Sequence, residues 1–161
     1  MTINPDLQGR SYPAKEVYDV GREKIREFAR AVKATHPAHF EVEAARALGH
    51  SDLVAPPTFA IIVAQRADAQ LIEDPDAGID FSRVVHADQR FIHHRPIVAG
   101  DRLVAELLVD GVRAMGGGAM ITTRSEIFAL AAGAAEGAAG DAAREPVATA
   151  TSSILVRGEG Q

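Results

Sequence analysis

The chain has 161 residues, a formal net charge of -5 and an isoelectric point near 5.6. It is long enough to bury one core and too short for two, so one domain over residues 1–161 is expected. The acidic balance argues against nucleic acid as a partner, because phosphate binding needs clustered Lys and Arg. The absence of cysteine excludes disulfides, thiolate metal sites and a cysteine nucleophile. Met1-Thr2-Ile3-Asn4-Pro5-Asp6 lacks the basic and apolar regions of a signal peptide, and no apolar run approaches the ~18 residues of a membrane span, so a cytoplasmic location is expected.

Glu16-Val17-Tyr18-Asp19-Val20 alternates and reads as a first strand, with Asp19 or Gly21 near the start of the next helix. That helix is amphipathic: Ile25, Phe28, Ala29 and Val32 recur at helical spacing between charged residues. Val42, Ala45 and Leu48 predict a short second helix ending at Gly49, which suits a left-handed cap. Pro56 and Pro57 fit the first turn of a third helix, where a missing N–H costs nothing, and Phe59 to Ile72 is apolar enough to be enclosed on most sides. From Val84 the period changes to two, predicting strands at 84–93, 102–113, 119–130 and 147–156, with turns at Gly100-Asp101 and Gly116-Gly117-Gly118. Residues 131–146, nearly all Ala, Gly and acids, predict a long flexible hairpin loop. One strand, two short helices, a buried helix and four strands is the order of an α+β hot-dog fold, in which an antiparallel sheet wraps a long central helix. Such a sheet leaves an edge to be paired, so a dimer is expected.

Three blocks carry a more specific resemblance. Ala34-Thr35-His36-Pro37-Ala38-His39 follows the pattern Asp-x-Asn-Pro-x-His, with Ala34 in the Asp position, His36 in the Asn position, and Pro37 and His39 matching. Leu53-Val54-Ala55-Pro56-Pro57-Thr58-Phe59 is placed like the segment Ile-Ala-His-Gly-Met that opens a central helix. Arg95-Pro96-Ile97-Val98-Ala99-Gly100-Asp101-Arg102-Leu103 is similar to a Pro-Val-x-x-Gly-Asp-x-Leu motif. In this order the blocks resemble the MaoC-like hot-dog hydratases and dehydratases. The resemblance is closest to the alpha, non-catalytic subunits of the actinobacterial type II fatty-acid synthase (3R)-hydroxyacyl-ACP dehydratase, and it runs from about Gly9 to about Val156.

The resemblance implies hydration of a trans-2-enoyl thioester, carried on acyl carrier protein or coenzyme A, or the reverse dehydration. That chemistry needs a base for water, a proton donor and a donor to the thioester oxygen, and no cofactor. His39 retains its position, whereas Ala34 cannot transfer a proton, and Pro57 stands where the family offers a backbone N–H to the oxyanion. Losing a general acid or base costs ~10²–10⁴ in rate and losing one oxyanion donor ~10²–10³. The chain alone is therefore expected to be weak or inactive.

The leading reading is an acyl-binding subunit that pairs with a homologous hot-dog chain carrying the intact Asp and His. In it Pro57, Thr58, Phe59, Ile62 and Val63 are the candidate substrate contacts. A second reading is a homodimeric hydratase using His39, with His36 as a substitute titrating group. A third is a non-enzymatic module that binds an acyl thioester or carrier protein. No metal site is expected: His93 and His94 point to opposite faces of a strand, and His36 and His39 have no acidic third ligand. Asp88 and Gln89 match the alpha-subunit subgroup, although polar strand residues of this kind are commonly structural. The basic stretch Arg90, His93, His94, Arg95 could meet a phosphopantetheine arm or the acidic face of a carrier, or simply be a solvated strand end.

Overall fold

The computed structural model describes residues 3–132 and 144–158. Its elements are the short strands β1 (Ser11–Tyr12) and β2 (Tyr18–Asp19), helices α1 (Arg22–Ala31), α2 (Val42–Ala47) and α3 (Ile61–Ile72), and the long strands β3 (Val84–His93), β4 (Arg102–Met115), β5 (Gly118–Leu130) and β6 (Arg144–Val156). All strand pairs are antiparallel, in the order β1-β4-β5-β6-β3, with β2 also on β4. This is the expected α+β hot-dog arrangement.

The sheet and the central helix are matched by period. Along β5 the buried residues Ala119, Ile121, Thr123, Ser125, Ile127 and Ala129 alternate with partly exposed ones. Helix α3 turns Val63, Ala64, Ala67 and Leu71 inward and packs on β4 and β5. Alanine at two of these positions lets the helix lie close to the sheet, and the buried apolar residues form one cluster around it. The β4–β5 hairpin closes through Gly116 (φ 51°) and Gly117 (φ 90°), the positive angles that a type I′ turn requires. A Cβ at Gly118 would stand 2.2 Å from the Val156 carbonyl oxygen, so that glycine is held by close approach.

Several boundaries differ from the sequence reading. The expected first strand at 16–20 contributes only Tyr18 and Asp19 to the ladder, and β1 precedes it. Helical spacing puts Val32 and Leu48 on inward faces, yet they are exposed because each is the cap residue past the end of its helix. Helix α3 begins at Ile61 rather than at the prolines; Phe59, Ile61, Ile62 and Val63 bond back three residues, so one tight turn leads into the α-helix. Most of the expected 131–146 loop, residues 133–143, lies outside the described residues, but Arg144, Glu145 and Pro146 belong to β6 and pair with Leu130, Ala129 and Phe128. Pro146 sits at the register shift, where a missing ladder N–H is tolerated.

Candidate functional site

The three motif blocks, up to 60 residues apart in sequence, meet through the main chain of Leu53, Val54 and Ala55. Ala55 N–H donates to Ile97 O (2.8 Å), Ala99 N–H to Leu53 O (2.9 Å) and Val54 N–H to Ala38 O (3.0 Å). Val54 O accepts from His39 Nδ1 at 2.6 Å. A carbonyl only accepts, so Nδ1 carries the proton and Nε2 of the neutral ring is left as the basic nitrogen. His39 is partly buried, in a 3₁₀ turn of Pro37–His39.

The loop is fixed from behind by α1. Arg26 Nε donates to Phe40 O (3.0 Å), and the Arg30 guanidinium lies 5.7 Å from the Phe40 ring centroid. At the end of α1, Lys33 adopts a left-handed φ of 58°, which lets Ala34 N–H reach Ala29 O at 2.8 Å and turns the chain into the loop. Ala34 thus presents only a methyl group at the entry to the loop. His36 caps the following turn: its Nδ1 accepts from Ala38 N–H at 3.1 Å, and its ring centroid is 6.1 Å from that of His39. The role visible for His36 is therefore structural.

At the second block, Pro57 and Thr58 are exposed at the turn preceding α3. Pro57 has no N–H, and among the described residues no backbone carbonyl pairs with the Thr58 N–H. Phe59 points the other way: it is fully buried, with ring centroids of Tyr18 and Phe28 at 6.3 and 5.3 Å. Ile62 packs at the margin of the core, and Val63 lines a cleft of about 290 Å³ with Tyr18 and Arg66. A larger groove of about 530 Å³ runs along the opposite flank of α3, and Ile61 rather than Phe59 or Ile62 faces it. The structure therefore brings His36 beside His39 and ties His39 to Val54, three residues before Pro57, while Phe59 lies in the core, Ile62 at its margin and Val63 on a separate cleft.

The third block is a clasp. Arg95 Nη1 and Nη2 donate to Asp101 Oδ2 (2.8 Å) and Oδ1 (2.9 Å), Val98 N–H donates to Oδ2 (2.9 Å), and Arg95 Nε pairs with Glu145 at 3.0 Å. This occupies the Arg95 side chain of the basic stretch in holding its own loop. His94 Nε2 lies 3.2 Å from Thr149 Oγ1, and His93 stacks on Phe91. Gln89 Oε1 accepts from Ser152 Oγ at 2.6 Å, a structural tie to β6. Among the described residues no group of His, Asp and Glu is arranged to hold a metal.

Sequence reading missed Asp68. It sits on α3 four residues after buried Ala64, and Thr123 Oγ1 donates to its Oδ1 at 3.0 Å. Burial pushes its pKa up from 3.8 to about 6, against the Thr123 hydrogen bond and the charge of His86. The available signal was an acid one turn from buried Ala64 and Leu71 on the central helix.

The model for the FAS1-like dehydratase domain region matches residues 6–131. The chain is a member of the MaoC-like hot-dog dehydratase family. A UPF0336 protein of Leifsonia xyli subsp. xyli is 53% identical over 157 residues, spanning 98% of this chain and 97% of that protein. Among solved structures of this MaoC-like group, the C-terminally truncated HadBC (3R-hydroxyacyl-ACP dehydratase) complex from Mycobacterium tuberculosis is 36% identical, with a TM-score of 0.77 over 93% of this chain and 97% of that one. A structure described as a MaoC-like dehydratase is 33% identical with a TM-score of 0.79, covering 95% of this chain and 43% of that one. No helix among the described residues is long and apolar enough to cross a membrane.

Proposed function

We propose that this chain is the acyl-binding subunit of a (3R)-hydroxyacyl-thioester dehydratase or enoyl hydratase, on acyl carrier protein or coenzyme A, whose proton chemistry is supplied by a homologous partner. The observation that carries the reading is the contrast inside one loop: His39 is oriented by Val54 with Nε2 available, while Ala34 leaves the acid position empty of any proton carrier. Dehydration needs a coordinated acid and base, and one histidine supplies half of that pair. His36 does not fill the gap, since its Nδ1 is committed to the turn.

The partner docks on β3 in this reading. β3 is a ten-residue edge strand with Val85 and Ile92 exposed, an arrangement open to pairing with a second sheet. The HadBC structure is itself a complex, which supports a two-chain assembly here. Pro57 and Thr58 then lie at the thioester end of the site, with the Thr58 N–H as the remaining backbone donor.

The test is hydration of trans-2-enoyl thioesters by the chain alone and co-expressed with a homologue carrying the intact loop. Activity is expected only in the pair, where His39→Ala changes the rate by less than about 10-fold instead of the ~10²–10⁴ loss of a catalytic base. Turnover by the chain alone, abolished by His39→Ala, overturns the reading.

A further inference from the structure

The side chains along the β3 edge have a two-fold order of their own. Val84, His86, Gln89 and Phe91 stand opposite Val156, Ile154, Ser152 and Ala150 of β6, all buried, so they share the face turned to the core. Val85, Asp88, Arg90 and Ile92 take the outer face. The change of parity between His86 and Asp88 comes from Ala87, the extra residue of a bulge. Measured along β6, the four outer residues stand opposite Leu155, Ser153, Thr151 and Thr149, and Gln89, opposite Ser152, lies at their midpoint. The outer face therefore reads apolar, acid, base, apolar, symmetrically about Gln89.

That order is complementary to itself. A half-turn about Gln89 lays a second β3 antiparallel on the first and sets Val85 opposite Ile92 and Asp88 opposite Arg90, each contact occurring twice. On the inner face the same operation sets His86 opposite Phe91. A two-fold centred on Asp88 or on Arg90 would instead oppose like charges, which disfavours pairing. The residues concerned are open to a partner: Val85 and Ile92 are 44% and 53% exposed, and among the described residues no hydrogen bond or ion pair engages the side chain of Asp88 or Arg90. The axis residue is fixed, since Gln89 Nε2 donates to Thr151 O at 3.1 Å and its Oε1 accepts from Ser152 Oγ at 2.6 Å. We infer that the β3 edge is an isologous interface whose occupant is a second copy of this chain, paired about Gln89 with Val85 on Ile92 and Asp88 on Arg90. The inference shares with the proposed function the use of β3 as the docking edge and goes beyond it: where the homologous chain is absent, the edge closes on itself.

The chain has no cysteine, so introduced ones report the register directly. Residues directly opposed across a strand pair fall within the ~4.4–6.8 Å Cα spacing that a disulfide spans, whereas positions 85 and 92 of one strand are roughly 20 Å apart. Sedimentation of the purified chain is expected to give a dimer, and Val85→Cys combined with Ile92→Cys to give a disulfide-linked dimer on oxidation, with neither single variant linking. Asp88→Arg or Arg90→Asp makes both charged contacts repulsive and is expected to weaken the dimer about 10-fold or more, while the two together restore it. These surface charge reversals decide the matter alone if the cysteine variant does not fold. A monomeric chain, or a dimer that neither links through the paired cysteines nor responds to charge reversal, overturns the inference. Activity measured beside the oligomeric state separates the two claims. A linked homodimer with no activity in any pairing keeps the inference and sinks the dehydratase-subunit reading, and an active mixed pair built from a chain that is monomeric alone does the reverse.

Discussion

The loop around His39, held between α1, α2 and Val54, and the groove around Asp68 on α3 teach opposite lessons about what a motif shows. The loop has the motif, the main-chain scaffold and the oriented imidazole, but one methyl group stands where the acid belongs. The groove has no motif, yet it holds Asp68, whose pKa burial pushes up to about 6. The motif's hydrogen-bonded frame is mostly main chain, so it does not depend on which side chain stands at position 34. Charge placed on an inward helical face is invisible to motif reading and visible only as geometry.

The comparison breaks most severely at the residue that separates the two regions. Phe59→Ala, in a fully buried position, is expected to cost about 3–5 kcal/mol in chemical denaturation, since it leaves a cavity against Tyr18 and Phe28. A loss under 1 kcal/mol would mean that Phe59 swings out of the core, as a direct substrate contact would require.

Asp68 sharpens the contrast through pH. Its folded pKa, about 6, lies above the unfolded value of 3.8, so the neutral form is favoured in the fold. The benefit is present below about pH 4 and is lost as pH rises through 6, on the order of 3 kcal/mol for a shift of this size. Asp68→Asn keeps an acceptor for Thr123 and should flatten stability across that window while raising it at pH 7. An unchanged pH profile would refute the buried-carboxylate account.

Asp101→Ala removes three hydrogen bonds from the Arg95 clasp, and the expected loss is about 2–3 kcal/mol because Arg95 retains some solvent. Hydrogen exchange should then rise at Val98 and Ala99, next to the bridge with Val54. Protection unchanged there would mean that the clasp does not steady the His39 scaffold. The smallest effect is at Lys33: its left-handed backbone makes Lys33→Gly stabilising by about 1 kcal/mol, read as a higher melting temperature. Destabilisation would show that the lysine side chain compensates its own strain.

The alternation of Val84 to His93 and of β5, the amphipathic spacing of Ile25, Phe28 and Ala29, and the glycines at 116 and 117 determined the order of elements by sequence alone, because each is a local rule with a fixed period or a required sign of φ. That Ala34 itself transfers no proton was likewise legible without coordinates, since a methyl group does so in no fold. The three motif blocks could be recognised one by one, but their union through Val54 joins residues distant in sequence, and no local rule predicts which carbonyl a histidine will find. The acyl-binding reading also put Phe59, Ile62 and Val63 together as substrate contacts. Only the tertiary structure decided that Phe59 faces the core, Ile61 the groove and Val63 a separate cleft, because an enclosed helix has apolar residues on several faces and its packing partners, not its sequence, choose among them.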